Sequence, residues 1–253
     1  SYTLQELEDE MKAIGEKPFR AKQIYEWIHV KLVESFDEMT NVSKALREKL
    51  AREYEIATVS LVERQISGID GTNKFLFELS DGNMIESVLM KYKHGNSICI
   101  SSQVGCRMGC RFCASTIGGL VRNLTASEML REVYEVQKIS GERISNIVVM
   151  GTGEPLDNYE NFVRFIRMVS DGHGLHISQR NITASTCGIV PNIRRLADEK
   201  FQITLALSLH GSNQEKRKSL MPVANKYELS EVLRRVTSTL KRPEEGSRLS
   251  TVW

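Results

Sequence analysis

Cys106, Cys110 and Cys113 lie close together in the pattern C-x3-C-x2-C. Three thiolates at this spacing are typical of a soft metal centre. A four-ligand zinc or iron–sulfur site needs one further Cys or His, and the next candidate, His173, is far downstream. The pattern therefore predicts a [4Fe–4S] cluster with one iron open to another ligand. The alternatives are a zinc knuckle and a set of inert, buried thiols.

From residue 96 onwards the sequence alternates between strand-like and helix-like segments, which is the pattern of a parallel α/β sheet. Active residues in such sheets gather at the carboxyl ends of strands. The cysteine loop and three later loops, 151–156, 185–188 and 208–210, each follow a strand. We therefore expect them to form one site. The predicted strands are 97–102, 144–150, 182–185 and 204–209.

Two regions precede this sheet. Residues 1–55 are predicted to be helical, because Pro18 suits a helix start and an apolar face follows it, and basic residues cover the other faces. Residues 56–95 change to period two, and Asp81–Gly82 marks a tight hairpin. In the last of these strands Glu86 shares a face with apolar residues, where the pattern alone favours an ordinary cross-strand partner. The apolar face comprises Phe19, Ile24, Tyr25, Trp27 and Ile28, and the basic residues are Lys17, Arg20, Lys22, Lys31, Lys44, Arg47 and Lys49.

Phe112 precedes the last cysteine, and this arrangement resembles the signature of the radical S-adenosylmethionine (SAM) superfamily. The segments ICISSQVGCRMGCRFCAS, MGTGEPLDNY, STCGIVP and LALSLH are similar to the RlmN/Cfr family of radical SAM RNA methyltransferases. They are closest to its RlmN branch, the dual-specificity enzymes that form 2-methyladenosine in 23S rRNA and tRNA. The resemblance implies a partial (β/α) barrel with four of six βα units, a helical accessory module that contacts RNA, and a small antiparallel β extension.

The resemblance also implies roles for individual residues. Cys106, Cys110 and Cys113 match the cluster ligands. The turn of Gly153 and Glu154 matches the contact to the SAM amino group. Glu86 matches a proposed proton acceptor, and Cys99 matches a thiol that resolves a protein–RNA bond, although spacing alone would also fit a small core residue. Further SAM-binding residues are implied to be Ser185, Ser208, Leu209 and His210.

In the mechanism that the resemblance implies, one SAM methylates a cysteine near the carboxyl terminus. A second SAM is cleaved to a 5′-deoxyadenosyl radical, which takes hydrogen from that methylcysteine. The resulting carbon radical adds to adenine. A Cfr-type C8 methylase, another radical SAM enzyme and a non-catalytic iron- or RNA-binding remnant remain as alternatives. The implied partners are 23S rRNA, tRNA and an electron donor such as flavodoxin, and a monomer is expected.

The resemblance ends near Leu233. Residues 234–253 lack the methyl-carrying cysteine and the expected later strands, so we interpret the chain as truncated or frameshifted and inactive in methylation. We also expect the apolar strand 204–209 to have an uncovered edge and to lower solubility. This divides the chain into an accessory module (1–55), a β extension (56–95), a radical SAM core (96–233) and a non-family tail (234–253).

The composition bounds the class of protein. The 253 residues are 41% hydrophobic and 26% charged, with a net charge of +2, which is ordinary for a soluble globular protein. No apolar run approaches the roughly 20 residues of a membrane span, and no signal peptide opens the chain. Five cysteines, three of them clustered, favour a reducing compartment over a disulfide framework. We therefore expect a cytoplasmic protein that does not contact a membrane.

Overall fold

The computed structural model describes residues 1–93, 95–240 and 248–252. Three helices open the chain and eight strands form one sheet, in agreement with the predicted α/β class. The elements in order are α1 (Leu4–Ala13), α2 (Phe19–His29), α3 (Lys44–Glu53), β1 (Val59–Ile66), β2 (Asn73–Leu79), β3 (Met84–Tyr92), β4 (Gly95–Ile100), β5 (Gln103–Gly105), β6 (Leu120–Asn123), α4 (Ala126–Ser140), β7 (Ile144–Val149), α5 (Tyr159–Val169), β8 (Ile182–Thr186), α6 (Val190–Asp198), β9 (Thr204–Ser208), α7 (Gln214–Leu220), α8 (Leu229–Leu240) and β10 (Arg248–Val252).

Helices α1, α2 and α3 form a module with its own apolar core, which includes Met11, Ile24 and Leu46. Phe19 is the exception to the predicted apolar face, since it is 52% exposed at the first position of α2. The module is joined to the rest of the protein by two buried polar contacts. Arg131 on α4 donates to the Val33 carbonyl (2.7 Å), and His29 Nδ1 lies 2.6 Å from the Tyr134 hydroxyl.

The large sheet has the strand order β1-β2-β3-β4-β7-β8-β9-β10. The first four strands pair antiparallel, and β4, β7, β8, β9 and β10 pair parallel. Asp81–Gly82 forms the predicted turn between β2 and β3, and Gly82 has a φ of 80°, which glycine adopts without steric cost. The four predicted parallel strands correspond to β4, β7, β8 and β9.

The two faces of the parallel sheet differ in burial. Ile98, Ile147 and Ala184 point to one face and are fully buried, and α4 contacts β3 and β4 on that side. On the other face, Cys99 and Val148 are only half-buried. We call the first the helix face and the second the open face.

Strand β10 covers the outer edge of β9. Its backbone pairs parallel with β9 from Arg248 opposite Thr204 to Val252 opposite Ser208. The expectation that strand 204–209 has an uncovered edge is therefore wrong, and the predicted loss of solubility loses its basis. Residue 233 lies within α8, so secondary structure continues across the predicted boundary, while 241–247 and 253 fall outside the described residues. No helix in the described part of the chain is long and apolar enough to span a membrane.

Candidate active site

The cysteine loop leaves β5 and is held by backbone contacts. Gly105 has a φ of 73°, and a Cβ there would overlap the carbonyl oxygen of Gly119. The Cys106 N–H donates to that carbonyl (2.9 Å), and the Arg111 N–H donates to the carbonyl of Leu220 (2.9 Å). The loop is therefore fixed on one side by the chain that follows it and on the other by the end of α7.

The three thiols of the loop are enclosed. Cys106 and Cys110 are 6% and 8% exposed, and Cys113 is half-buried. Burial raises the pKa of Cys106, and it raises the pKa of Cys110 to about 11. Thiols of this kind ionise when a metal binds them, because the thiolate is the ligand.

The donor set fits a [4Fe–4S] cluster better than a single ion. Among the described residues, no group of three or more His, Cys, Asp or Glu side chains is placed to hold one metal ion. A four-iron cluster binds each thiolate at a different iron and therefore separates the thiolates more widely than one ion does. Three thiols on one loop, two of them buried, provide the three thiolate ligands that such a cluster needs.

The glycine-rich loop after β7 packs tightly on the end of β4. A Cβ at Gly151 would lie 2.7 Å from the Ile100 carbonyl oxygen, and one at Gly153, where φ is 108°, would lie 2.7 Å from Gln103 Cβ. Only glycine fits at both positions. The predicted SAM-contacting turn is therefore held directly against the strand that leads to the cysteines.

Glu154 directs its carboxylate into the protein. It is 4% exposed, and its two oxygens accept from the N–H groups of Leu156 (3.1 Å) and Cys187 (2.7 Å). Burial raises the pKa of Glu154. The side chain thus ties the glycine-rich loop to the end of β8 and leaves contact with a ligand to the backbone of the turn.

The ends of β8 and β9 meet through their hydroxyl groups. Ser185 Oγ and Ser208 Oγ lie 2.8 Å apart, and both are half-buried on the open face. Leu209 is 7% exposed. His210 has a φ of 50°, and its ring centroid lies 4.4 Å from that of Phe112. Burial, and secondarily Arg217, lowers the pKa of His210, so the ring is neutral at pH 7.

Cys99 and Glu86 lie on the open face of neighbouring strands. Val88 is opposite Cys99 in the β3–β4 register, so Glu86, two residues before Val88, points to the same side. Burial raises the pKa of Cys99 to about 11. Glu86 is exposed, and its carboxylate forms a cross-strand ion pair with Lys74, whose Nζ lies 2.5 Å away. The carbonyl of Glu86 accepts from the hydroxyl of Ser101 (2.9 Å), at the start of the cysteine region.

Several residues that hold these loops together were not predicted from the sequence. Asp157 accepts from Arg107 Nη2 (2.6 Å) and Nε (2.8 Å) and from Gln103 Nε2 (3.0 Å), which joins the cysteine loop to the glycine-rich loop. Cys187 packs against Cys110 and Met221. Arg217 is fully buried beneath the same cluster. Asp157 and Arg107 could have been found from the sequence, because they lie within the MGTGEPLDNY and cysteine motifs. Arg217 could not, because it is one of several basic residues on its helix.

The family comparisons agree with this geometry. The Ribosomal RNA large subunit methyltransferase N-terminal domain matches residues 1–56, and the Radical SAM superfamily matches residues 100–241. Members of that superfamily use a [4Fe–4S] cluster and SAM. A radical SAM methyltransferase from Sphaerobacter thermophilus, known from a crystal structure, superposes with a TM-score of 0.91 at 40% identity, over 99% of this chain and 74% of that one.

Two curated relatives carry the name "Probable dual-specificity RNA methyltransferase RlmN". The protein from Lachnoclostridium phytofermentans is 70% identical over 231 residues, which are 91% of this chain and 65% of the relative. The one from Lachnospira eligens is 60% identical over 233 residues, which are 92% of this chain and 67% of the relative. The chain thus spans about two thirds of the length of these relatives. It belongs to the radical SAM superfamily and, within it, to the RlmN family.

Proposed function

We propose that this chain is the cofactor-binding part of an RNA methyltransferase that forms 2-methyladenosine in 23S rRNA and tRNA. The observation that supports this most is the convergence of four loops at one edge of the parallel sheet. The cysteine loop, the glycine-rich loop and the Ser185–Ser208 pair all lie where β4, β7, β8 and β9 end. The open face beside them carries Cys99 and leaves space for a substrate.

In this proposal the residues of each of the four loops bind a different part of the cluster–SAM pair. When bound, the cluster supplies the electron for reductive cleavage of SAM. Cys106, Cys110 and Cys113 hold it, and the backbone of Gly153 and Glu154 contacts the amino group of the methionine moiety. Ser185, Ser208, Leu209 and His210 would hold the rest of SAM, with hydroxyls and an imidazole available to its carboxylate, ribose or adenine.

Cys99 and Glu86 supply the groups that face the RNA. With a pKa raised to about 11, Cys99 is a neutral thiol at pH 7 and needs a base before it can attack as a thiolate. Glu86 lies on the same face, and its carboxylate is paired with Lys74. An ionised carboxylate can accept the proton that leaves the adenine ring.

The helical module provides the RNA-binding surface in this proposal. Lys17, Lys22 and Lys44 are exposed on it, whereas Arg47 donates to the carbonyl of Asp37 and Lys49 donates to the carbonyl of Ile14 (2.8 Å). The three exposed lysines are therefore the better probes of phosphate contact. Changing all three to glutamine should weaken binding to an rRNA fragment and reduce the slope of log affinity against log salt by about 2 to 3 units. An unchanged slope would contradict RNA contact by this surface.

The remaining partners follow from the same proposal. A protein such as flavodoxin donates the electron, and the enzyme works as a monomer in the cytoplasm. Reduction of the cluster by purified flavodoxin and its reductase, followed under anaerobic conditions by loss of the cluster absorption, tests the donor. Sedimentation velocity tests the monomer.

The decisive experiment compares two proteins under anaerobic conditions with labelled SAM and a large-subunit rRNA fragment. One is the 253-residue chain, and the other is that chain joined to the part of the Lachnoclostridium phytofermentans relative that lies outside the matched region. We expect 2-methyladenosine by mass spectrometry from the extended protein, and none from its Cys106→Ala variant. 8-Methyladenosine would instead indicate a Cfr-type enzyme. SAM cleavage without RNA labelling would indicate a different radical SAM reaction.

The 253-residue chain alone should give no methylated adenosine. Of its five cysteines, three belong to the cluster loop, and Cys187 is buried with its N–H bound to Glu154. Cys99 remains, and in this proposal it resolves the product and cannot also carry the methyl group. Label in adenosine from this chain would show that one of these cysteine assignments is wrong.

A further inference from the structure

Arg217 on α7 is fully buried, and its guanidinium contacts Cys187 and Met221, which cluster with Cys110 of the cysteine loop. Its Nη1 donates to the carbonyls of Ser208 (2.9 Å) and Leu209 (2.6 Å), and its Nη2 donates to the carbonyl of Cys187 (2.5 Å). One guanidinium thus joins the carboxyl ends of β8 and β9. These are the two strand ends that also present Ser185 and Ser208.

The charge of Arg217 has no carboxylate partner in the described part of the chain. All of its hydrogen bonds go to neutral acceptors, the three carbonyls and the sulfur of Met221 (3.4 Å). Its Nε is buried and has no hydrogen-bond partner among the described residues. A buried charge without a counter-charge is destabilising. Packing alone therefore does not explain why an arginine lies at this position.

The thiols of the cysteine loop lie next to this charge. Met221 and Cys187, both in contact with Arg217, form one buried cluster with Cys110. The three thiolates outweigh the positive charge of an oxidised four-iron core, so the assembled cluster is an anion and becomes more negative on reduction. Burial lowers the pKa of Arg217, and the neighbouring Cys187 and Cys110 thiols oppose that shift.

Helix α7 is also fixed in position relative to the cysteine loop. The Leu220 carbonyl at its end accepts the Arg111 N–H (2.9 Å). A Cβ on Gly211 would lie 2.8 Å from the backbone N of Arg217, and one on Gly188 would lie 3.2 Å from its Nη2. The guanidinium therefore occupies a fitted site with little freedom to move away from the loop.

We propose that Arg217 is a positioning residue with an electrostatic role: it sets the ends of β8 and β9 and acts as the buried counter-charge of the cluster, which makes the cluster easier to reduce. The potentials of iron–sulfur clusters depend on net charge, on hydrogen bonds and on solvent exposure. A fixed positive charge at the buried side of the loop stabilises the reduced form more than the oxidised form. This inference rests on the [4Fe–4S] assignment and not on the identity of the RNA product.

The test is a potentiometric titration of the reconstituted 253-residue chain with dithionite, followed by electron paramagnetic resonance of the reduced cluster. Arg217→Met removes the charge and keeps much of the volume. At the midpoint potential of the parent protein, its ratio of reduced to oxidised cluster should fall about tenfold, a shift of about 59 mV for one electron. Arg217→Lys keeps the charge, and the midpoint potential of its cluster should stay close to that of the parent protein.

Arg131→Met is the matched control, because Arg131 is also a buried arginine (2% exposed) and donates to the carbonyl of Val33, in the contact with the helical module. It should be destabilised without a change in potential. A parent-like potential in Arg217→Met would overturn the proposal. If Arg217→Met binds no iron, the Arg217→Lys variant provides the test. An Arg217→Lys cluster with the midpoint potential of the parent supports the role of the charge. A folded Arg217→Lys that binds no iron overturns it. Absence of the cluster signal in the parent would overturn the cofactor assignment instead.

Discussion

The helix face and the open face of the large sheet are built from alternate residues of the same strands. On the helix face, Ile98, Ile100 and Ile147 are 0% exposed and pack against helices. On the open face, their neighbours Cys99 and Val148 are half-buried. Each strand therefore contributes to both faces of the sheet. One set of side chains provides the apolar burial that stabilises the fold, and the other lines a surface that can receive a ligand.

The difference between the faces extends to their polar groups. On the helix face, Glu132 is fully buried, and one of its oxygens accepts from Ser87 Oγ (2.6 Å) and the Ser101 N–H (3.0 Å). On the open face, Glu86 and Lys74 form an exposed ion pair. A buried polar group is costly unless it is satisfied, whereas an exposed pair contributes little. We therefore expect substitutions on the helix face to change stability, and those on the open face and its loops to change ligand binding.

The largest effect should come from the cysteine loop. Cys110→Ala removes a cluster ligand and should reduce the iron of anaerobically reconstituted protein from about four per chain to near zero. Cys187→Ala is the control, because Cys187 packs against Cys110 but is not part of the three-cysteine pattern. It should retain its iron. Equal iron loss in both variants, by colorimetric assay, would indicate that Cys187 is a ligand as well.

A pair of adjacent residues on β7 compares the two faces directly. Ile147→Ala leaves a cavity against the helices and should lower the free energy of unfolding by about 2–5 kcal/mol. Val148→Ala, on the open face, should cost about 1 kcal/mol because its side chain is only half-buried. Urea denaturation measures both. Equal losses would mean that the open face is packed as tightly as the helix face.

Glu132 should give the helix face a pH-dependent stability. Burial raises the pKa of Glu132 well above 4.5, so the folded protein keeps this proton at a pH where the unfolded chain has lost it. The free energy of unfolding therefore falls as pH rises above about 4.5 towards the raised pKa. Glu132→Gln keeps an acceptor for Ser87 and Ser101 and has no proton to lose. It should be more stable than the parent at pH 7, and the gain should disappear near pH 4.

Glu142 provides a control of opposite sign. Its pKa is lowered by hydrogen bonds from Lys91 and Asn96, so its contribution to stability is present above pH 4.5 and is lost on acidification. Glu142→Gln should therefore be slightly less stable than the parent at pH 7. If the free energy of unfolding at pH 7 changed in the same direction in both variants, the loss of a charge and not its burial would explain the result.

The strand alternation and the cysteine spacing were readable from the sequence, because both are local patterns. The predicted strands 97–102, 144–150, 182–185 and 204–209 match β4, β7, β8 and β9 closely. Their convergence followed from the rule that parallel strands end at one edge. The [4Fe–4S] cluster and SAM also followed from the sequence, since the three-cysteine pattern is characteristic of the superfamily.

Features that depend on contacts between distant parts of the chain could not be predicted from the sequence. Strand β10 was missed because its backbone pairs with β9 across a long connection, and the five residues RLSTV carry little pattern. Arg217 was missed because nothing in the sequence distinguishes it from Lys216 and Lys218. Only the fold turns it inward, to 0% exposure, towards the cysteine loop. The inward direction of the Glu154 carboxylate was likewise set by a contact with a distant strand end.

The smallest effect on stability should come from Glu86 on the open face. Its side chain and that of Lys74 are 49% and 46% exposed, so solvent screens the pair, and Glu86→Gln should change the free energy of unfolding by less than about 0.5 kcal/mol. If Glu86 accepts a proton from adenine, methylation by the extended protein should nevertheless fall about a hundredfold or more. Lys74→Met breaks the same ion pair but keeps the carboxylate, and it should retain most of the activity. Equal loss of methylation in the two variants would assign the effect to the ion pair, and full activity in Glu86→Gln would remove Glu86 from the reaction.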